Sequence, residues 1–229
     1  MSPFEPKVGF LPEAQRALWP LLGQVPSGFV LYGGTALALR LGHRRSEDFD
    51  FFASRSISPE ALRGAVPFLE GAVVALSEPN TLTAWVRPLP GRSPVHVSFF
   101  GGIGFPVIDR PDRAVPDGII IASLRDLAGT KAKVINERVE LKDYLDIAAL
   151  LDAGLTLPEI VAAAAAIFPG QVDEIATVSA ITFFEDGEAA TFPEPLKRKL
   201  RAAARGASRV PPPVPAFESI EASALAVGR

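Results

Sequence analysis

The chain has 229 residues, 48% hydrophobic and 21% charged, which is the composition of an ordinary globular protein with room for a sizeable core. It has no cysteine and two histidines, which excludes disulfides, thiolate metal sites and a histidine-rich metal centre, and fits a reducing cytoplasm. The net charge of −3 excludes a global attraction to nucleic acid, so any such contact must come from a local patch.

The opening MSPFEPKVGFLPEAQ lacks a basic segment followed by an apolar run, so no signal peptide is expected. Residues 11 to 24 carry Ala14, Leu18, Leu21 and Leu22 on one side of a modest amphipathic helix, which Pro20 should bend or shorten. Residues 29 to 32 form a β-prone run that Gly33-Gly34 ends sharply. Thr35 is placed to cap a helix over residues 36 to 41, with Leu37 and Leu41 on one face. A charged loop then leads to a second strand headed by Asp48-Phe49-Asp50. Ser58-Pro59-Glu60 signals a helix running to residue 69. Residues 72 to 76, 81 to 87 and 95 to 100 read as three strands, with turns at residues 78 to 80 and 90 to 93. Three successive strands after a strand–helix–strand unit predict a mixed sheet.

Residues 107 to 109 and 119 to 121 are short apolar runs between proline-rich loops, and from Ser123 the pattern turns helical. Helices are expected from there to about residue 137, then over 141 to 153, 157 to 167, 173 to 184 and 195 to 204. The apolar run at 160 to 168 is the richest in the chain and is too short to span a membrane. Residues 210 to 215, VPPPVP, read as an extended linker, and the tail to Arg229 as mobile or docked elsewhere. The fold class is therefore α/β (α+β): a small mixed-sheet core over residues 1 to 122, a helical region over 123 to 209, and a proline-rich linker and tail over 210 to 229.

The chemistry concentrates in residues 31 to 52. A glycine pair at a helix start exposes backbone N–H groups that a phosphate can approach closely. Asp48 and Asp50 are two apart on a strand, so both carboxylates point to one face and can meet one cation. Mg²⁺ suits such hard oxygen ligands and commonly binds through one or two carboxylates plus substrate phosphates. Each element alone has a bland reading, a turn or a solvated strand end. Their order makes the combination specific.

Gly33-Gly34-Thr35, followed after a charged loop by Asp48-Phe49-Asp50, resembles motif I of the polymerase-β-like nucleotidyltransferases. The wording GGTALALRLGHRRSEDFDFF is similar to the AbiEii/AbiGii-type abortive-infection toxin branch, and a second match lies in DLAGTK at 126 to 131, Arg138 and KDYLD at 142 to 146. The resemblance implies a nucleotidyltransferase palm completed by the helical region. It implies transfer of a nucleoside monophosphate from an NTP to an acceptor, tRNA or protein, with Mg²⁺ or Mn²⁺ on Asp48 and Asp50. Gly33, Gly34, Thr35 and Lys131 would hold the triphosphate, and Asp143 or Asp146 would assist. It also implies a toxin of a type IV toxin–antitoxin pair with a winged-helix antitoxin partner.

Arg44 or Arg45 could meet phosphate from the loop before the aspartates, whereas His43 reads as structural or solvent-facing. Lys131 and Arg138, seven apart, should share a helix face, while Lys133 should be solvated. Arg138, Lys142, Asp143 and Asp146 could equally be an ion-pair network joining two helices. One departure bears on catalysis. Where many members of the superfamily carry a third carboxylate on a central strand, this chain has Ser98, with His96 on the same face as a distant substitute. That departure favours an alternative reading, a catalytically impaired nucleotide- or RNA-binding module. Residues 196 to 209 hold six basic residues and no acid, either an RNA-phosphate patch or a solvated helix face.

Overall fold

A computed structural model describes residues 4–205 and 208–227, in two compact units. Within the described residues, the first unit runs to Ser123 and takes in residues from Phe217 onward, and the second runs from Leu124 to Ala216.

In the first unit, helix α1 (Glu13–Leu18) gives way at once to a 3-10 stretch, Trp19–Gln24, because Pro20 lacks the N–H that an α-helix would need there. Strand β1 (Val30–Tyr32) runs into α2 (Gly33–Leu41), and β2 (Asp48–Phe52) follows. Helix α3 (Pro59–Ala65) starts as expected, with the Ser58 side chain accepting from Ala61 N–H. Strands β3 (Val73–Glu78), β4 (Thr81–Val86) and β5 (Val95–Phe100) form an antiparallel meander, whose first turn has Asn80 at φ +64°. The short β6 (Asp112–Arg113) and β7 (Ile120–Ile121) close the sheet. The strand order is β3-β4-β5-β2-β1-β7-β6, with β2–β5 and β1–β7 parallel and the other pairs antiparallel, so the predicted mixed sheet is what forms.

Alternation along these strands separates two faces. Phe49, Phe51, Val97, Phe99, Leu82 and Ala84 point to one side and are all buried. There Phe51 stacks on Phe99 at 5.3 Å, and Phe29 meets Phe99 edge-on at 5.4 Å. Asp48, Asp50, His96, Ser98 and Trp85 occupy the opposite side. Arg40 fastens α2 to the far end of the sheet, donating to the Ala122 carbonyl at 2.7 Å and to Asp112 at 2.8 Å.

The tail beyond the linker is docked on this unit. Phe217 pairs with Val107 through two backbone hydrogen bonds, and α9 (Ile220–Val227) is joined to the unit by the Arg55–Glu221 ion pair at 3.0 Å. The extreme tail, residues 228 and 229, lies outside the described residues.

The second unit holds α4 (Leu124–Ile135), α5 (Leu141–Asp152), α6 (Leu157–Ile167), α7 (Glu174–Thr182) and α8 (Glu194–Ala204). Helices α4 and α6 approach so closely at Gly129 that a Cβ there would lie 2.9 Å from the Ala163 carbonyl. The glycine of the DLAGTK segment is thus a packing residue. Thr156 and Glu159 form a complete capping box at the head of α6. Tyr144 donates to the Ala180 carbonyl at 3.0 Å and packs between Phe184 and Phe192.

Candidate active site

The site is built where β1 ends. The helix does not wait for Thr35: Gly33 and Gly34 are its first two residues, and no side chain caps it. Thr35, expected as the cap, is instead buried inside α2, and its hydroxyl donates to the Asp48 backbone carbonyl. That bond ties the helix head to the strand that carries the aspartates. Gly33 sits at φ +76°, and a Cβ on it would lie 2.7 Å from Asp50 Oδ2, so only glycine fits beside that carboxylate. The N–H groups at such a helix start have no intrahelical acceptor and carry the positive end of the helix dipole.

Asp48 and Asp50 share one face of β2, as two-residue periodicity requires, and the Asp48 side chain is 54% exposed. The register sets Asp50 directly opposite Ser98 and Asp48 directly opposite His96. Ser98 is buried and bears no carboxylate. His96 comes closer to the aspartates than the sequence suggested, with Nδ1 3.6 Å from Asp48 Oδ1 and its ring 4.6 Å from that of Trp85. Among the described residues no three His, Asp or Glu side chains form a cage for a metal by themselves. Two hard carboxylates on one face, with a helix N-terminus beside them, nevertheless suit Mg²⁺ or Mn²⁺, whose remaining ligands come from phosphate and water.

The two loop arginines differ. Arg45 is exposed, whereas Arg44 lies over Gly34, its Nη2 2.6 Å from where a Cβ would stand. Arg44 is therefore the guanidinium at the helix head, and sequence spacing could not separate it from its neighbour.

In the helical unit Lys131 is buried and bridges two wholly buried carboxylates, Asp143 at 2.7 Å and Asp146 at 2.8 Å. Arg138 does not continue the Lys131 face, because α4 ends at Ile135. It reaches Asp143 from the following turn, at 2.9 Å. Burial alone would raise the Asp143 carboxyl, but the hydrogen bond from Arg138 and the charge of Lys131 outweigh it and hold the group below its ordinary value of 3.8. Of the ion-pair network expected among Arg138, Lys142, Asp143 and Asp146, the Arg138–Asp143 pair forms, and Lys131 is the cation between the two carboxylates. Lys142 pairs with Glu140 at 2.7 Å, outside the buried pair. Lys133, expected to be solvated, pairs with Glu137 at 2.7 Å on the helix surface.

The basic segment is similarly engaged. Lys197, Lys199, Arg201 and Arg209 pair with Glu194, Asp152, Glu185 and Glu174, all in the same unit, which leaves less unbalanced charge than the sequence implied. Residues 206 and 207 of that segment lie outside the described residues.

Residues 21–222 match the family described as nucleotidyl transferase AbiEii toxin, type IV TA system. The chain belongs to this family. The AbiEii-family chain is also similar to the uncharacterized protein aq_aa25 of Aquifex aeolicus (strain VF5), at 33% identity over 121 residues. That match covers 52% of this chain and 55% of the relative, about half the length of each. Among solved structures it resembles MenT4, a nucleotidyltransferase toxin from Mycobacterium tuberculosis H37Rv, at 17% identity and a TM-score of 0.49 over 86% of this chain and 72% of that one. No single helix among the described residues is long and apolar enough to cross a membrane.

Proposed function

We propose that this AbiEii-family protein transfers a nucleoside monophosphate from an NTP to an acceptor hydroxyl. The observation that carries the proposal is the head of α2, where the Asp48/Asp50 pair lies against a glycine that leaves no room for a side chain. Gly33, Gly34 and Thr35 present backbone N–H groups to the triphosphate, and Arg44 supplies a guanidinium beside them, with Arg45 further out in the same loop. Asp48 and Asp50 would hold Mg²⁺ or Mn²⁺, which when bound neutralises charge on the transferring phosphoryl group.

In the reaction the acceptor oxygen bonds to the α-phosphorus as the bond to the bridging oxygen breaks. Pyrophosphate leaves with the electron pair, and the hydroxyl proton passes to water. Family membership suits a toxin whose growth inhibition a cognate antitoxin, winged-helix in type, relieves, with tRNA as an acceptor that fits the chemistry.

Transfer is read with the four α-³²P-labelled NTPs, Mg²⁺ and total bacterial RNA. Label should move from one NTP to RNA, and Asp48→Ala with Asp50→Ala should lower the rate by on the order of a thousandfold while the circular dichroism spectrum is kept. Transfer or growth inhibition that survives the double change refutes this mechanism. One observation favours a second reading, a nucleotide- or RNA-binding module without catalysis: the residue opposite Asp50 is the buried Ser98. That reading predicts NTP binding without pyrophosphate release.

A further inference from the structure

The sheet register lines up a row that starts at Asp48 and continues into side chains that the transfer chemistry does not use. Asp48 on β2 lies opposite His96 on β5, His96 opposite Trp85 on β4, and Trp85 opposite Val73 on β3. All four point to the face that bears the aspartates. The row beginning at Phe52 is covered by aromatic packing, with Tyr32 stacked on Phe52 at 5.1 Å and Phe105 against both rings. The row beginning at Asp48 is open. Trp85 is 42% exposed and Val73 63%. An indole left this open, with its ring set by a histidine that contacts a site carboxylate, is placed for a ligand.

The identity of that ligand follows from which side of the aspartates the row occupies. Gly33 and Gly34 continue from β1, which flanks β2 on one side, and β5 and β4 flank it on the other. In phosphoryl transfer the attacking and leaving oxygens stand roughly in line across the phosphorus. With the triphosphate at the glycines, pyrophosphate departs on the β1 side, so the acceptor enters over β5 and β4. Trp85 is two strand spacings from Asp48, about 10 Å. Arg87, the residue just after β4, is exposed, its Nη1 donating to the Arg92 carbonyl at 3.4 Å, and can meet a phosphate of an incoming strand.

We propose that Trp85, supported by His96, is the stacking platform for the terminal nucleobase of a single-stranded nucleic-acid acceptor, with Arg87 on its backbone. The proposal rests on the nucleotidyltransferase reading for its direction, but its binding step can be measured without transfer. Aromatic stacking of this kind tolerates any base and needs an unpaired end.

The chain has two tryptophans, and Trp19 is only 3% exposed, so a ligand that stacks on the sheet face is reported by Trp85 emission. The full chain is titrated in EDTA, without NTP, with single-stranded oligoadenylate and with a blunt RNA duplex. Oligoadenylate should quench the emission and the duplex should not. In parallel, anisotropy of a labelled oligoadenylate should show Trp85→Leu binding about tenfold more weakly and Trp85→Phe close to wild type, with affinity for NTP unchanged in both. Quenching lost in wild type, or Trp85→Leu binding oligoadenylate as wild type does, overturns the platform. Loss of NTP affinity in Trp85→Leu also overturns it, by assigning the ring to the nucleotide's own base. If the oligonucleotide results hold and the double aspartate variant still transfers label, the failure belongs to the catalytic assignment and not to the platform.

Discussion

Replacing Lys131 by Met should destabilise the protein whether or not it touches the chemistry, and the size of the effect follows from what the ammonium now holds. Its Nζ lies 2.7 Å from Asp143 and 2.8 Å from Asp146, and both carboxylates are 0% exposed. Removing one partner of a buried ion pair leaves charge uncompensated at a cost of about 3–5 kcal/mol. Arg138 remains on Asp143 at 2.9 Å, which places the expected loss at the lower end, about 3 kcal/mol. For a chain of this size that is a fall in Tm on the order of 10 °C.

The pH dependence has a defined sign. Asp143 titrates below its ordinary 3.8, so the folded state binds fewer protons than the unfolded one in the acid range. Its stabilisation is complete above that ordinary value and is lost as pH falls through the folded-state pKa. Lys131→Met weakens the hold on the carboxylates, so the gap from wild type should be full near neutral pH and narrow below about pH 4. Thermal unfolding followed by circular dichroism from pH 3 to 8 measures both. A variant that melts within about 2 °C of wild type at pH 7 would refute the claim that this cluster holds the helical unit together.

Gly33→Ala should fold but lose most Mg²⁺ or Mn²⁺ affinity, because φ is +76° there and the new methyl would sit 2.7 Å from Asp50 Oδ2; isothermal titration in the presence of NTP reads the loss. Ser98→Asp sets a third carboxylate opposite Asp50 on the neighbouring parallel strand, one strand spacing of ~4.8 Å away. It should lower Tm in EDTA through like-charge repulsion and gain more from added Mg²⁺ than wild type does, and an equal gain in the two proteins would count against a metal at this face. Thr156→Ala breaks the capping box of α6 and should cost about 1 kcal/mol in urea unfolding without changing nucleotide affinity.

The strand and helix pattern was legible because each element has a face to bury: alternation marks β4 and β5, and Ser58-Pro59-Glu60 announces α3. Two-residue β6 has no period to detect, and its place depends on pairing with β7, a contact between loops. Thr35 was misread for a related reason. Threonine is a good cap, but its hydroxyl found the Asp48 carbonyl, thirteen residues on, and the helix began on the two glycines before it. The shared face of Asp48 and Asp50 is local and could be read directly. That Asp50 faces Ser98 while Asp48 faces His96 is a matter of register, which couples distant segments. Arg138 reached Asp143 by leaving its helix, which no spacing rule anticipates.

The return of residues 217–227 to the sheet unit also sets an order of assembly during synthesis. Domains usually fold from the N-terminus as they leave the ribosome. Here the partner of Val107 is Phe217 and the partner of Arg55 is Glu221, each more than a hundred residues later in the chain. The helical unit, continuous from Leu124 to Ala216, can complete itself while the sheet that bears Asp48 and Asp50 still lacks its last pieces. A nascent chain halted before Phe217 would carry every residue assigned to nucleotide and metal, in a sheet unit not yet fastened shut.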